Sequence, residues 1–431
     1  MHIGNRLKRL RNLRGISQSN ICRKIVSPSH YSNIESGRYE PSEYILKEIA
    51  KRLQVPTKYL FEIHDDCPEI AELLNRYDDL LNHDVTKADD FHQKHRQKFE
   101  YIPSLHQEVQ YLLLACLHKL KLYQLDEAEQ LHCELSYYIH HDNVDGQLKK
   151  TKYTFFSTSG LLRFFQQRYA ESYDLYHLAL PYSVSKYDRG KALYNLSLVC
   201  YELYHFNKGL SYAQEAKRIF IDAHHWKLTV KAYTILGVTY IETKEYAAAE
   251  EVLRKGQDLA YEKGFEDLLA RVYHNLGLVY YNLEKYDSSL TYYQKSLEKK
   301  WKWDQQTLFL TYLAILMLHL KNQDLRQLAV VLVEAQKLAD NEDKKNQLKI
   351  IEAKMEYLLL HYDNYERLME EAIDYFYQRE GWDDLIDYAK DFSDFYYEHR
   401  RYKKAYYYLN IEYQAYINLS KGSDHYEKAD D

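Results

Sequence analysis

Turn-forming residues are scarce in this chain of 431 residues, which contains only 13 glycines and 6 prolines. Leucine, alanine, glutamate and lysine are abundant instead, and these residues favour helices. Folds rich in strands need many turns that contain glycine or proline, so this composition predicts an all-α fold.

The five cysteines are odd in number, and no two of them have the spacing of a CxxC motif. This pattern supports neither a disulfide framework nor a zinc site. The longest apolar run, residues 308–320 (LFLTYLAILMLHL), is too short to cross a bilayer, and the N-terminus lacks the apolar core of a signal peptide. We therefore expect a protein of the reducing cytoplasm that makes no membrane contact.

Motifs of catalysis are also missing. The sequence has no P-loop, nucleophile elbow, dinucleotide fingerprint or cluster of histidines and cysteines at metal-site spacing. We therefore predict that the chain is not an enzyme and needs no cofactor and no metal.

Charge is divided unevenly along the chain. Residues 1–64 contain 12 Lys and Arg against 5 Glu, whereas the other 367 residues contain 46 basic and 59 acidic side chains. A compact basic segment attracts phosphates, and an acidic segment is repelled by nucleic acid. The two parts are therefore predicted to have different partners.

Residues 1–64 predict five short helices with a sharp turn between the second and the third. Gly15 ends the first helix, and the second is predicted within residues 16–25 (ISQSNICRKI). Ser27 caps the third helix, Pro28 begins it and Gly37 ends it. Two more helices follow before residue 64.

The segments ISQ, SNIESGR and IAKRLQVP resemble the Xre/Cro-type helix-turn-helix family, in which the third helix enters the major groove of DNA. The resemblance implies that Glu35 pairs with a basic residue of the first helix, here Arg11. One departure is the turn, where IVSPS replaces the more usual turn with glycine.

Ser29 and Asn33 are predicted to contact base edges, and other polar residues around them to hold phosphates. Because one such head binds weakly alone, we expect a homodimer or a higher homo-oligomer on double-stranded DNA with two operator half-sites. The predicted DNA-binding residues are Gln18, Ser27, Pro28, Ser29, Ser32, Asn33 and Arg38.

A pattern with a period near forty residues fills the rest of the chain. Residues 237–257 and 277–297 both begin with a small residue, which an aromatic follows after nine positions and Ala or Ser after twelve. Antiparallel helices approach closely only where a crossing residue is small, and each such hairpin must stack on the next. The markers of the first helices are Cys116, Gly160, Ser197, Gly237, Gly277, Leu316, Glu356 and Ser393.

This pattern resembles tetratricopeptide repeats and predicts a right-handed superhelix of about eight long hairpins. HEAT-like hairpins are the competing architecture, disfavoured by the spacing of the small and aromatic residues.

The first helices are expected to line a concave channel for an extended oligopeptide. Asn pairs with both polar groups of a peptide unit, Lys and Arg bind carboxylates, and Leu and Tyr form side-chain pockets. The predicted peptide-binding residues are Lys191, Tyr194, Asn195, Tyr201, Glu202, Lys231, Glu242, Arg271, His274, Asn275, Leu278, Tyr281 and Asn282. Further along, the apolar inward positions fit either a pocket floor or a dimer contact; they are Leu310, Leu313, Met317 and Leu320.

An Xre/Cro-type head followed by such repeats resembles the RRNPP family of peptide-pheromone receptors, with a layout near that of its neutral-protease regulators. The resemblance implies a quorum-sensing transcriptional regulator that a short signalling oligopeptide switches. Two alternatives are a Rap-like module that sequesters or dephosphorylates a response-regulator protein, and a phage receptor of the arbitrium type.

Four segments follow from these patterns. They are a helix-turn-helix domain at 1–64, a helical linker at 65–100, a repeat domain for peptide binding and dimerisation at 101–420, and a tail at 421–431.

Overall fold

The N-terminal head consists of five helices, as the sequence predicts. The computed structural model describes residues 1–139, 149–299 and 305–424, and within these ranges the secondary structure is helical, without strands. The helices of the head are α1 (Ile3–Leu13), α2 (Gln18–Cys22), α3 (Pro28–Glu35), α4 (Glu43–Leu53) and α5 (Thr57–Phe61).

Helix α2 is shorter than the predicted segment 16–25. It ends at Cys22, and Lys24 takes a left-handed backbone conformation with φ of 61°. This residue makes the turn that glycine usually makes, so Ile25 lies outside the helix and packs only partly buried against the core of the head.

The predicted linker forms a pair of helices, α6 (Pro68–His83) and α7 (Val85–Glu100), which pack on each other and on the first repeat helix. One face of this segment is apolar, and its residues Ile70, Leu74, Tyr77 and Leu81 are buried.

Eight helical hairpins follow in the described residues, in agreement with the predicted number. The first four are α8 (Leu105–Lys121) with α9 (Leu125–Leu135), α10 (Lys149–Phe165) with α11 (Tyr169–Ala179), α12 (Lys186–Glu202) with α13 (Phe206–Asp222), and α14 (Trp226–Glu242) with α15 (Tyr246–Lys263). The last four are α16 (Glu266–Asn282) with α17 (Tyr286–Lys299), α18 (Gln305–Lys321) with α19 (Leu325–Gln336), α20 (Glu342–Leu358) with α21 (Tyr362–Gln378), and α22 (Trp382–Glu398) with α23 (Tyr402–Asp424).

Each hairpin turns through one non-glycine residue in the left-handed conformation, with φ between 55° and 63°. Seven of the eight lie seven positions after the predicted marker of their first helix. These turn residues are Tyr123, Gln167, Tyr204, Lys244, Glu284, Gln323, Leu360 and Arg400.

The seventh marker is wrong by one helical turn. Leu360 lies seven residues after Ala353, which is fully buried, and not seven after Glu356. Glu356 accepts hydrogen bonds from His361 Nδ1 (2.9 Å) and Asn364 Nδ2 (3.0 Å) at the helix surface. A small residue belongs at the crossing, so Ala353 is the marker.

The predicted contact between positions twelve residues apart is present in the structure. Ser289 Oγ donates to the carbonyl oxygen of Gly277 at 2.8 Å, and Ser172 Oγ donates to that of Gly160 at the same distance. Each buried hydroxyl therefore donates a hydrogen bond to a backbone carbonyl of the facing helix. The carbonyl is within reach only because the two helices are close.

Two compact units make up the chain, Met1–Ala192 and Leu193–Asp431, and their boundary falls within α12. The four-segment division expected from the sequence stays a prediction, and residues 425–431 of its tail lie outside the described residues.

Close approach at the crossings makes a methyl group costly at Gly277. A Cβ atom there would lie 2.5 Å from the ring of Tyr293, whereas a Cβ atom at Gly209 would lie 3.2 Å from the Cβ atom of Cys200. We expect Gly277→Ala to lower the free energy of unfolding by about 1–3 kcal/mol through overpacking, measured by urea denaturation. Gly209→Ala is the control and should lose less; equal losses would contradict the role of the crossing.

Candidate functional site

Helix α3 of the head turns its polar side to solvent. Ser29 and Ser32 are exposed and Asn33 is half-buried, while Tyr31 and Ile34 on the other side are fully buried in the core. The predicted base-contacting residues therefore lie on the accessible side of the helix.

The N-terminus of α3 is held by its own cap. Ser27 Oγ accepts from the backbone N–H of His30 at 3.2 Å, and Pro28 occupies the first turn. Both residues are exposed, so this end of the helix is accessible to a phosphate. Arg38, just beyond the helix, is exposed and makes no side-chain hydrogen bond within the described residues.

A buried carboxylate ties the first three helices together. Arg11 donates to Glu35 through Nε (2.6 Å) and Nη2 (3.0 Å), the pair that the family resemblance implies. Its hydrogen bond to Glu35 raises the pKa of Arg11. Gln18 Nε2 also donates to Glu35, at 2.7 Å, which fixes this side chain at the start of α2.

Sequence reasoning missed Arg52 of α4, which holds the turn in place. Its Nη1 donates to the carbonyl oxygens of Asn20, Ile21 and Arg23 at 3.2, 2.6 and 2.9 Å. These are carbonyls at the C-terminal end of α2, which lack partners inside the helix. The sequence feature that could have revealed Arg52 is its position as a basic residue in the last turn of the amphipathic helix α4.

The head is attached to the first hairpin by buried charges. Arg6 is fully buried; its Nε donates to Glu108 Oε2 of α8 at 2.9 Å. Its other nitrogens donate to the carbonyl oxygens of Pro103 (2.7 Å), Ile102 (3.1 Å) and Tyr59. Each of the three guanidinium nitrogens of Arg6 therefore donates at least one hydrogen bond.

Arg9 extends this attachment to α9. It donates to Glu108 Oε1 at 2.8 Å and forms an ion pair with Glu134 at 2.6 Å. Tyr59 and Tyr138 donate their hydroxyls to Glu108, the latter at 2.7 Å. Burial, and then the Glu108 carboxylate, raise the pKa of Tyr138, so its hydroxyl keeps its proton.

We call this group the head clamp; it consists of Arg6, Arg9, Tyr59, Glu108, Glu134 and Tyr138. The sequence analysis did not find it. The signal was Glu108, a carboxylate within a helix that is otherwise largely apolar.

Removal of the central carboxylate should be costly. Glu108→Ala leaves Arg6 and Arg9 buried without their main partner, so we expect a loss of about 3–5 kcal/mol in the free energy of unfolding, measured by denaturant titration with circular dichroism.

Glu43→Ala, which removes an exposed pair with Lys47 (3.3 Å), is the control and should cost less than about 1 kcal/mol. Similar losses in the two variants would show that the clamp adds nothing.

In the unit Leu193–Asp431, several predicted peptide-binding residues share one side of the first helices. Tyr201 of α12 donates to Glu242 of α14 at 3.1 Å. Burial raises the pKa of Tyr194 to about 12, and the nearby Arg271 guanidinium of α16 acts in the opposite direction. Side chains from consecutive and from alternate hairpins therefore lie near each other on this side, which we call the inner face.

Hydrogen bonds fix further residues of the inner face. His274 Nδ1 lies 2.9 Å from Thr311 Oγ1 of α18, and Asn282 Nδ2 donates to the carbonyl oxygen of Leu278 at 2.9 Å. Asn275 is only 9% exposed, whereas Asn195 is half-buried. Glu202, Lys231 and Tyr281 are half-buried on the same helices.

Lys191 belongs to the other unit, Met1–Ala192. Its Nζ donates to Asn82 Oδ1 of α6 at 3.1 Å, and burial lowers the pKa of its amine. In the structure, Lys191 is therefore hydrogen-bonded to α6, the helix that follows the head.

A cavity of about 390 Å³ opens among α16, α18, α20, α21 and α22. Tyr281 is the one predicted peptide-binding residue that lines it. The full lining is Tyr281, Met317, Leu320, Lys321, Lys354, Tyr357, Leu358, Tyr365, Asp391, Asp394, Phe395 and Glu398.

The cavity combines an apolar interior with a charged rim. Lys354 Nζ pairs with Asp391 at 2.6 Å. Asp394 and Glu398 form no ion pair with another described residue, so the rim carries carboxylates that remain able to bind a cation. A cavity of this size holds one or two side chains of a ligand.

Most of this lining was missed, although the sequence carried a signal. Met317 and Leu320 line the cavity, which fits the pocket floor among the two predicted roles. Inner-face residues lie one, four and five positions after a marker. Counted from Ala353, this rule finds Lys354, Tyr357 and Leu358; counted from Glu356, it finds only Tyr357.

The first and last hairpins of this unit also meet. Tyr204, at the turn of the α12–α13 hairpin, donates to Asp383 Oδ1 of α22 at 2.6 Å. This hydrogen bond joins residues that are 179 positions apart in the sequence.

Comparison with known proteins agrees with this anatomy. Residues 7–60 match the helix-turn-helix family model, and residues 230–263 and 270–300 match models of the tetratricopeptide repeat. The transcriptional activator NprA of Geobacillus stearothermophilus is 22% identical over 408 residues, which cover 92% of this chain and 98% of the relative.

A second relative, the response regulator aspartate phosphatase I of Bacillus subtilis (strain 168), is 22% identical over 63% of this chain and 70% of its own. The crystal structure of NprR in complex with its cognate peptide NprX has a TM-score of 0.60, with 16% identity, and the match covers 83% of this chain and all of that one.

Within the described residues, no helix is both long and apolar enough to span a bilayer. The same residues contain no group of three or more His, Cys, Asp or Glu side chains placed to hold a metal ion.

Proposed function

We propose that this protein is a transcriptional regulator that binds DNA through α3 and is switched by a short oligopeptide on its inner face. The observation that carries the proposal is the presence, in one chain, of a basic head with an accessible α3 and of a hairpin array with a cavity on its inner face.

The DNA half of the proposal is supported by the orientation of α3. The side of α3 that faces the core is buried, and its capped N-terminus is accessible. The polar residues Ser29, Ser32 and Asn33 lie on the side that faces solvent. An Asn side chain pairs bidentately with adenine, and an exposed Arg such as Arg38 binds phosphate. Buried clamp residues keep the head in one orientation on α8.

The peptide half is supported by the chemistry of the inner face. Asn195 and Asn275 provide paired donor and acceptor groups, and the cavity offers an apolar interior for a side chain of the ligand. The solved complex of NprR with its cognate peptide has the same fold, which supports a peptide as the class of ligand.

Base recognition is tested by selection of the full chain on a randomised duplex library. We expect two half-sites about 10–10.5 base pairs apart. Asn33→Ala should lose about 1–3 kcal/mol of discrimination at one base pair of each half-site. Arg38→Ala should weaken all sequences about equally and reduce the salt slope by about one.

Lys47→Ala on α4 serves as the control for a lost surface charge and should leave the selected sequence unchanged. Failure of the wild-type chain to enrich any duplex would overturn the DNA half of the proposal.

Peptide binding is tested with a pooled library of synthetic heptapeptides, followed by calorimetry of the enriched sequence. We expect Asn195→Ala and Asn275→Ala to weaken binding by on the order of tenfold or more each, because a buried peptide group loses its partner. Asn410→Ala, at an exposed residue of α23, is the matched control and should bind like the wild type.

No enrichment by the wild-type chain, or equal affinity of all three variants, would contradict peptide binding on the inner face. If substitution of Tyr357 abolishes the selection of peptides and substitution of Asn195 or Asn275 does not, the cavity would remain the proposed binding site and the role of the two asparagines would be rejected.

The second candidate function is action on a response regulator, which the similarity to the aspartate phosphatase favours. It is tested by incubation of the full chain with receiver domains labelled with acetyl [³²P]phosphate. Loss of label or formation of a stable complex, without any duplex selected, would favour this function over the first.

A further inference from the structure

The cavity lies at the C-terminal ends of four first helices. Residues from the last turn of each helix line it: Tyr281 of α16, Lys321 of α18, Leu358 of α20 and Glu398 of α22. The unpaired carbonyl groups at the C-terminus of a helix carry a partial negative charge of about half an elementary charge, which attracts cations. Four such ends at one cavity make its rim electronegative before any side chain is considered.

Carboxylate side chains add to this negative potential. Asp391, Asp394 and Glu398 follow one another on α22 at intervals of three and four residues, so they share one face of the helix. Asp391 is neutralised by Lys354, whose Nζ lies 2.6 Å from it. Asp394 and Glu398 are exposed and form no ion pair with another residue that the structure describes.

The position of Glu398 is electrostatically unfavourable without a bound cation. An acidic residue at a helix C-terminus is repelled by the carbonyl ends, and like charges four residues apart repel each other as well. Helices α16, α20 and α22, which the structure describes in full, have no basic residue in the last turn. Lys321 of α18 is therefore outnumbered on the rim by Asp394 and Glu398.

Aromatic rings supply a second attraction for a cation. Tyr357, Tyr365 and Phe395 line the cavity, and their ring centroids are 4.7 to 6.0 Å apart. Tyr357 is 37% exposed, so a ligand can reach its ring. Burial, and then the Glu398 carboxylate, raise the pKa of Tyr357, so ring and carboxylate are close neighbours. An ammonium or guanidinium group at this place is attracted by both.

The rest of the lining suits a long aliphatic stem. Met317, Leu320 and Leu358 are apolar, and Met317 is 37% exposed. Lysine and arginine carry their charge at the end of such a stem, which packs on apolar surface while the charged group stays at a wet rim. An acidic residue of the ligand would be repelled by the rim, and an apolar one would leave its carboxylates without a partner.

We propose that this cavity binds one basic residue of the oligopeptide, Arg or Lys, and that Asp394 and Glu398 bind its charge. The proposal rests on the proposed function, because Tyr281 belongs both to the inner face and to the cavity lining and so connects the two. It adds the chemical class of residue by which the protein distinguishes one peptide from another.

The first test is selection of heptapeptides by the full chain, with the residue at each position recorded. We expect Arg or Lys at one fixed position of the enriched sequences. The position has to be fixed, because residues 65–431 contain 46 basic and 59 acidic side chains and would favour basic peptides without regard to position. Replacement of that residue by Gln should raise the Kd in calorimetry by on the order of tenfold to a hundredfold.

The second test removes the two carboxylates with little change in shape. Asp394→Asn combined with Glu398→Gln should weaken binding of the basic peptide by on the order of tenfold or more and leave that of the Gln peptide unchanged. Asp387→Asn, at an exposed residue of α22 outside the lining, is the matched control and should bind like the wild type. The double variant should unfold at the wild-type temperature or above it, since it relieves repulsion, so lost binding cannot be ascribed to unfolding.

Charge reversal and a free cation complete the test. Asp394→Lys combined with Glu398→Lys should reverse the preference, so that a peptide with Glu at the fixed position binds more tightly than one with Arg or Lys. Agmatine, which carries a guanidinium on a four-carbon chain, should bind more weakly than the peptide, because it makes no contact with the inner face.

Three results would overturn this proposal and leave the proposed function standing. They are enriched peptides without a basic residue at a fixed position, an Asn and Gln double variant that still prefers the basic peptide to the Gln peptide as the wild type does, and agmatine that binds as tightly as the peptide. The last result would assign the cavity to a free organic cation. If the wild-type chain selects no peptide at all, both proposals fail.

Discussion

The buried Glu108 carboxylate is the contact on which the arrangement of the head depends. It accepts from Arg6, Arg9, Tyr59 and Tyr138, so two cations and two hydroxyls converge on one anion. Removal of such charges from water is expensive, and the cost is offset only if every polar group has a partner. Here the remaining donors of Arg6 reach backbone carbonyls of the segment before α8. The geometry of the head on the first hairpin is thus specified by hydrogen bonds as well as by packing.

The hairpins depend on a different constraint, the close approach of their two helices. A small residue at each crossing permits this approach, and a turn with one left-handed residue closes the hairpin seven positions later. None of the eight turn residues is glycine, although glycine adopts this conformation with the least strain. The strain is tolerated because the backbone N–H after each turn bonds to the preceding helix, as Lys285 does to the carbonyl of Tyr280 at 2.9 Å. Packing therefore determines the turn, and the identity of the turn residue is left free.

Periodic features were predictable from the sequence, and features that depend on a single contact were not. The spacing of Gly237, Gly277 and their partners predicted the hairpins, because a crossing imposes the same residue type in each repeat. The same reasoning failed at Glu356. The sequence pattern did not distinguish this residue from Ala353, and only the position of the turn residue Leu360 in the fold identifies Ala353 as the marker. Glu108 and Arg52 act once each, across long sequence separations, so no repetition reveals them. The cavity was missed for a third reason: its lining comes from five helices, and an error of three residues in the marker of one of them removes two members of the lining.

Magnitudes restrict how a ligand can act on the head. Coupling between two binding sites commonly amounts to about 1–3 kcal/mol, whereas loss of one partner in a buried charge network costs about 3–5 kcal/mol. A peptide that switched the protein by breaking the clamp would have to supply more differential binding energy than such ligands usually do. We therefore expect the head clamp to stay intact when a ligand binds. An element that responds to a ligand has to be one whose two states differ less in free energy. An exposed single contact meets this requirement, because a hydrogen bond such as that between Tyr204 and Asp383 costs little to open.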